Sequence, residues 1–330
     1  MKISYVMRNP GNHAFSIEKV FSAVLPVISE KAETEMVYMP ASGAKPNAVI
    51  RNLMAARKIQ ADIIHITGDV HYVALVTPKN KTVITVHDLV TLENNKGFKR
   101  AVLKLFWFTL PLKRCKRIIA ISEKTKRDII AEFPQLEGKI IVIPDPVDHA
   151  FVYSGYEFNN EVPTILQIGT KENKNLLRVA EALRDIRCKL QIIGKLNQTQ
   201  IEVLEKNKIV YENCYQISDE ELIEKYKQCD MVVFASTYEG FGMPIIEAQS
   251  IGRPIVTSNI EPMITVSGPK SCLVDPFSAA SIREGILKII NDKVYRQSLI
   301  SAGIENSKKY SDTSVGEQYI NAYSDMRKGE

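Results

Sequence analysis

An α/β fold built from two doubly wound domains is predicted by three observations. Short, β-branched apolar runs recur along the chain. Helix-like segments separate most of them. The runs form two series, divided by a turn-rich, aperiodic stretch at 144–163, "PDPVDHAFVYSGYEFNNEVP". Nearly continuous apolar strands alternating with helices mark parallel sheets covered on both faces. A chain of 330 residues is long enough for two such domains. The expected division is a Rossmann-like domain over 1–150 and a second over 151–311. A last helix at 312–330 is expected to pack back on the first.

In the first series the strand candidates are "ISYVM" (3–7), "MVYM" (36–39), "IIHIT" (63–67), "TVITVH" (82–87), "RIIAIS" (117–122) and "IIVIP" (140–144). Between them "FSIEKVFSAVLPVISE" and "SEKTKRDIIAEF" read as helices, the latter opened by Ser122 as a good N-cap. The second series runs "TILQIG" (164–169), "KLQIIG" (189–194), "IVYE" (209–212), "MVVFAS" (231–236), "PIVTS" (254–258) and "CLVD" (272–275). Helical patterns such as "NKNLLRVAEALRDI" and "SDEELIEKYKQC" follow most of these.

The bulk numbers suit a soluble globular protein: 45% hydrophobic and 25% charged residues. Five cysteines, at 115, 188, 214, 229 and 272, are odd in number and lack metal-ligand spacing. That points to a reducing compartment rather than a disulfide framework. "MKISYVMRNPGN" breaks before a signal-like apolar run can form, and no run approaches the roughly 18 apolar residues of a membrane span. A cytoplasmic location is expected. The net charge of +5 is uneven: residues 1–150 hold 22 Lys and Arg against 14 Asp and Glu, while 151–330 hold 21 against 24. A basic half suits an anionic surface as partner; ordinary solvated helices are the plainer alternative.

In doubly wound sheets ligands bind beyond the carboxyl ends of the strands, so the loops after strands are the ones to read. "MVVFAS" leads into Thr237, Tyr238 and Glu239, then Gly240-Phe241-Gly242-Met243. Pro244 suits the first turn of a helix, and the glycines allow a sharp turn and close approach to a ligand. The N–H groups of such a helix start favour an anion such as phosphate. Glu247, about one turn further in, could accept two hydrogen bonds from a ribose diol, each worth roughly 1.5–3 kcal/mol. Glu239 could reach hydroxyls on whatever the phosphate carries. The alternative is a solvated Glu247 and a Glu239 that only caps the helix.

Glu239 and Glu247, with seven residues between them in "EGFGMPIIEAQSIGRPIVTSN", resemble the E-x7-E signature of the family 4 glycosyltransferases. "ILQIGTKENKNLLRVAEAL", "YQISDEELIEKYKQCDMVVFAS", "TVHDLVTL", "RIIAISEKTKRDI" and "IVIPDPVD" are similar to further family motifs in the expected order. The resemblance implies the GT-B fold, two Rossmann-like domains facing across a cleft, and transfer that mostly retains anomeric configuration. It implies that Glu247 holds the ribose of a nucleotide-sugar donor. Glu239 and the backbone of Phe241 to Met243 would then hold the sugar and phosphates. Lys174 in "GTKENKN" matches the lysine that neutralises the diphosphate. Thr170 stands where many relatives carry arginine, with Lys171 beside it. Gly11 and Asn12 fall where the family has a glycine-rich loop near the donor phosphates. His87, with Asp88, falls where a family histidine or its neighbour contacts the donor sugar. The base would lie near Tyr215 to Ser218. The acceptor would be a saccharide or lipid-linked saccharide of the cell envelope. No metal or other cofactor is expected, and the mechanism implied is front-face transfer without a protein nucleophile.

Two further groups stand apart. His65, Asp69, His71 and Tyr72, in "IHITGDVHY", are a candidate acceptor surface, weighed against a plain loop. Residues 96–117 hold eight basic residues and no acid. On a wheel of about 100° per residue, Lys99, Arg100 and Lys104 share an arc with Leu103 and Trp107. Phe98, Val102, Leu105, Phe106 and Thr109 take the other arc and are expected to face the sheet. The first arc would suit peripheral contact with anionic lipid on the inner face of the membrane. The alternative is a covering helix whose Trp107 packs on a neighbour. No aromatic platform or recognition motif supports nucleic acid. Two other functions fit a doubly wound pair: a nonenzymatic sugar-nucleotide or polysaccharide-binding module, and a nicotinamide-dependent oxidoreductase. The last lacks a Gly-x-Gly-x-x-Gly after any strand.

Overall fold

The computed structural model describes residues 1–9 and 16–328. The chain divides into two compact units, Met1–Pro146 with Asp312–Glu330, and Val147–Ser311. Each is built on one parallel six-stranded sheet.

In the first unit the strands are β1 (Lys2–Met7), β2 (Glu33–Tyr38), β3 (Ile63–Ile66), β4 (Thr82–Val86), β5 (Arg117–Ala120) and β6 (Ile140–Val142). They lie in the order β2-β1-β3-β4-β5-β6. Side chains alternate across a strand, so each strand supplies both faces. Ile3, Tyr5, Met7, Ile63, Val83 and Ile119 pack under the helices Ser16–Ser29 and Asp312–Lys328. Ile64, Ile66, Ile84, Val86, Ile118 and Ala120 point the other way. They are covered by the helix Pro46–Ala56, the helical run from Gly97 to Arg114, and the helix Glu123–Glu132. Ser122 opens the last of these, its hydroxyl accepting from Thr125 N at 3.1 Å.

The run from Gly97 to Arg114 corrects the expected orientation. Leu103 and Trp107 pack on the core, whereas Phe98, Val102, Leu105 and Phe106 are exposed. Trp107 is held by its neighbours: its indole N–H donates to Asp69 O at 2.8 Å, and its ring lies 4.5 Å from that of Tyr72. Arg100 and Lys104 both pair with Glu132, at 2.5 and 2.6 Å. Lys99 alone of the five assigned residues is exposed.

The second unit carries β7 (Thr164–Ile168), β8 (Lys189–Ile193), β9 (Val210–Cys214), β10 (Met231–Phe234), β11 (Ile255–Ser258) and β12 (Cys272–Val274). Their order is β12-β11-β10-β7-β8-β9. The order reverses between β7 and β10, which pair in parallel through Met231–Ile165 and Val233–Gln167. The aperiodic residues before β7 are pinned by buried polar groups. Arg253 donates to Ser154 O, Cys229 O and Lys227 O and lies 3.8 Å over the Tyr156 ring. Asp230 accepts from the N–H groups of Asn159 and Thr164.

Candidate functional site

The point where strand order reverses is where a doubly wound sheet leaves a crevice, because neighbouring loops run to opposite sides. In the second unit those loops follow β7 and β10. After β7 the chain turns at Gly169, whose φ is +86°. A Cβ there would lie 2.8 Å from Lys174 Cγ, so the absent side chain makes room for the lysine stem. Asn175, itself left-handed at φ +62°, donates to Ala235 O at 2.8 Å and Pro276 O at 2.6 Å. Gln167 donates to Lys174 O at 2.9 Å. These bonds tie the loop to the end of β10.

The Lys174 ammonium lies 2.6 Å from Glu239 Oε1 and 4.8 Å over the Phe234 ring. Asn173 adds a donor, 3.3 Å from the same oxygen, and also holds Tyr238 O at 2.9 Å. The lysine and glutamate side chains are 19% and 13% exposed, so the pair sits half out of water with its geometry set by the loop. A cation held there is more effective toward an incoming anion than one free in solvent, because screening is weaker and little reordering is needed.

Gly242, with φ +112°, opens the helix Met243–Ile251, and no side chain caps its N-terminus. Pro244 occupies the first turn. The Phe241 ring is buried edge-on to Tyr310 at 5.7 Å, which leaves its backbone as the part available to a ligand. Gly240, Gly242 and Met243 complete the turn. One turn into the helix, Glu247 Oε2 accepts from the Tyr226 hydroxyl at 2.6 Å. Burial, reinforced by the Glu247 charge, pushes the Tyr226 phenol well above its ordinary 10, so it stays a donor. Tyr226 was not singled out from sequence. Its signal was a tyrosine on the apolar face of the helix Asp219–Gln228, where a buried hydroxyl needs a partner.

Thr170 turns away toward β8, its hydroxyl donating to Lys195 O at 2.8 Å. Lys171 is exposed at the start of the turn Glu172–Lys174. Beyond β9, Tyr215 is exposed, and Ser218 caps the next helix by accepting from Glu221 N at 3.2 Å.

In the first unit His87 stands at the end of β4, with its ring Nε2 2.8 Å from Thr67 O. A carbonyl only accepts, so Nε2 is the donor in this contact. Gly68 admits the ring: a Cβ there would lie 2.9 Å from His87 Cδ2. Asp88 is exposed and accepts from Val90 N at 3.0 Å in a local turn. Gly11 and Asn12 lie outside the described residues.

The supposed acceptor cluster is mostly core. His65 is fully buried between the Tyr323 hydroxyl and the Thr85 hydroxyl, each at 2.7 Å. His71 is buried with Nε2 3.2 Å from Thr85 O, and Tyr72 is buried with its hydroxyl accepting from Asn52 at 2.7 Å. The polar atoms of His65 and Tyr72 are engaged, whereas His71 Nδ1 is buried without a partner among the described residues, and burial removes all three from any ligand surface. Only Asp69 reaches solvent, and it pairs with Arg8, which also holds Glu18. Among the described residues, no three His, Cys, Asp or Glu side chains come together where they could hold a metal ion. Among the same residues, no helix is long and apolar enough to cross a membrane.

The chain is similar to known proteins along both of its halves. Residues 26–151 match the family described as Glycosyltransferase Family 4, and residues 155–306 match Glycosyl transferases group 1. An O-antigen chain mannosyltransferase B of Escherichia coli is 36% identical over 107 residues, 32% of this chain and 28% of that protein. A capsular polysaccharide biosynthesis glycosyltransferase of Staphylococcus aureus is 27% identical, covering 77% of this chain and 73% of the relative. The chain spans between 28% and 39% of the length of the first three E. coli mannosyltransferases it matches. Among solved structures, the Anabaena protein HepE in complex with UDP and glucose superposes with a TM-score of 0.75 at 16% identity. The match covers 98% of this chain and all of that one. With one family match on each half, in chain order over two parallel six-stranded sheets, the chain belongs to the family 4-like glycosyltransferases of GT-B fold.

Proposed function

We propose that the chain transfers a sugar, with retention of anomeric configuration, from a nucleotide sugar to a saccharide or lipid-linked saccharide in surface-polysaccharide synthesis. The observation that carries this reading is the Lys174–Glu239 pair beside the uncapped start of the helix Met243–Ile251. A diphosphate at that helix start meets backbone N–H groups and the lysine together. As the glycosidic bond breaks, charge grows on the departing diphosphate, and a fixed ammonium lowers the barrier. Lys174 turning toward phosphate frees Glu239 to accept from sugar hydroxyls. Glu247, oriented by Tyr226, accepts from the ribose. The lysine and helix start serve in place of a metal ion, and His87 and Asp88 keep the catalytic role that the resemblance implies. The UDP and glucose bound by HepE, and the O-antigen and capsular roles in the relatives' names, support a nucleotide-sugar donor and a saccharide acceptor.

The test is release of nucleoside diphosphate across a panel of UDP- and GDP-sugars, with and without saccharide acceptors and with chelator present. Glu239→Gln and Lys174→Met are expected to lower turnover by about a hundredfold with the fold intact. Undiminished turnover in both would sink the site, and a product of inverted configuration would sink retention.

A further inference from the structure

The first sheet has its own reversal of strand order, between β1 and β3, which pair in parallel through Val6–Ile66. In a doubly wound sheet a ligand belongs at the loops that follow two such strands. After β1 stands Arg8, and after β3 come Thr67, Gly68 and Asp69. The Arg8 guanidinium grips Glu18 of the helix Ser16–Ser29 with two bonds, at 3.0 and 3.1 Å. Its Nη1 donates to Asp69 Oδ2. The Arg8 and Glu18 side chains are 19% and 12% exposed, whereas Asp69 is 57% exposed. A largely buried ion pair thus holds an exposed carboxylate at the switch point.

The backbone is set to the same end. Asp69 has φ +50°, and among the described residues it is the one non-glycine residue of the first unit in the left-handed region. Aspartate tolerates that conformation better than most residues. Trp107 keeps it there, its indole N–H donating to Asp69 O at 2.8 Å. On the other side His87 Nε2 donates to Thr67 O at 2.8 Å, and the His87 ring fills the space that a Cβ on Gly68 would take. The loop that carries the carboxylate therefore packs on the histidine that the resemblance sets against the donor sugar. Strained backbone held by its surroundings gathers where a side chain must be aimed at a ligand.

We propose that Asp69 binds the acceptor, its carboxylate accepting from two neighbouring hydroxyls of an uncharged sugar ring. A carboxylate offers about four acceptor sites, and Arg8 uses one of them at Oδ2. Hydroxyls that donate to an ionised oxygen make stronger bonds than those between neutral groups. Charge selects the ring. One cation, Arg8, is answered by two carboxylates, Glu18 and Asp69, so a phosphorylated or acidic sugar would meet a local excess of negative charge. A neutral diol meets no such penalty. The inference rests on the proposed glycosyl transfer and narrows its acceptor to a saccharide whose bound ring carries no charge.

Ligand-observed NMR titration of the full chain tests it, with methyl α-mannoside, methyl α-glucoside and their 6-phosphates as probes and no donor present. Because no donor is needed, a failure here is separate from a failure of glycosyl transfer, which release of nucleoside diphosphate reads. The wild type is expected to bind the neutral glycosides roughly tenfold more tightly than the 6-phosphates. Asp69→Asn and Asp69→Gly both suit a left-handed backbone, and each is expected to weaken neutral binding about tenfold or more. Glu18→Gln removes a negative charge from behind Arg8 and is expected to narrow the gap between neutral and phosphorylated probes. Thermal unfolding checks that each variant is folded. In the transfer assay the Asp69 variants should raise the acceptor KM more than they lower kcat. Four results would each overturn the proposal: a wild type that binds neither neutral glycoside, 6-phosphates that bind as tightly as the neutral probes, Asp69 variants that bind like the wild type, or a Glu18→Gln variant that leaves the gap unchanged.

Discussion

Glu247 owes its orientation to Tyr226, and a single atom tests how much. Tyr226→Phe removes the hydroxyl that donates at 2.6 Å but keeps the ring that packs edge-on to Phe151. A hydrogen bond to a charged group contributes about 1.5–3 kcal/mol. The expected result is a donor KM raised roughly tenfold with kcat nearly unchanged, since the bond orients a binding group rather than the reacting centre. Glu247→Ala should weaken donor binding further. An unchanged KM in Tyr226→Phe would reduce Tyr226 to a core residue. Glu239, Glu247 and Lys174 were legible because motif spacing fixes which loops they leave. Tyr226 was not, because in "EKYKQC" it reads as one more apolar-face residue of an amphipathic helix. His65 misled for the opposite reason. Its polarity suggested a loop surface, yet strand alternation puts it with Ile63 on the inner face, where Thr85 and Tyr323 satisfy it.

That histidine also decides how the elements respond to acid. His65 joins β3 and β4 to the helix Asp312–Lys328, and burial, with His87 a lesser cause, lowers its pKa to about 3. Burial lowers His71 to about 4, against a smaller opposing pull from Asp69. Both are neutral in the folded state at pH values where an unfolded histidine, near 6.5, takes up a proton. Their contribution is therefore complete above about pH 6.5 and is lost as pH falls toward their folded values. Asp145 works the other way: burial raises it to about 6, so the folded state binds its proton first and offsets one of the two histidines. The unfolded state still binds more protons between about pH 6 and 4. The unfolding temperature should fall by several degrees between about pH 7 and pH 5; a rise on acidification would contradict this account. Helices and strands themselves were legible from apolar periodicity. The facing of the run from Gly97 to Arg114 was not, since apolar residues occupy both arcs and a wheel cannot choose between them. The π-helical turn Lys104–Thr109 also shifts the phase that a uniform 100° step assumes. What decides the matter is a distant partner, Tyr72, which local spacing cannot reveal.

At the scale of the whole molecule, connectivity makes the two units unequal. The second is one continuous segment, Val147–Ser311, and holds Lys174, Tyr226, Glu239 and Glu247. The first is completed only by the last helix, which buries Val315, Tyr319, Tyr323 and Met326 against Tyr5, Phe21 and Ile28. Gly316 lets that helix come close: a Cβ there would lie 2.9 Å from Val27 Cγ1. Burying each of those four side chains is worth roughly 1.5–3 kcal/mol, so their sum rivals the 5–15 kcal/mol that holds a typical domain together. A fragment of residues 1–146 should therefore fail to fold. Residues 147–311 should fold alone and bind a nucleoside diphosphate with the affinity of the full chain's donor half. Val147 and Ser311 pair side by side, with Val147 N donating to Tyr310 O at 2.7 Å. The chain thus leaves and re-enters the first unit at neighbouring points, and a short Gly-Ser linker from 146 to 312 should restore its fold. Circular dichroism and thermal unfolding of the three fragments read the outcome. Cooperative unfolding of 1–146 without its last helix would show that the sheet needs only one covering layer and that the C-terminal return is dispensable.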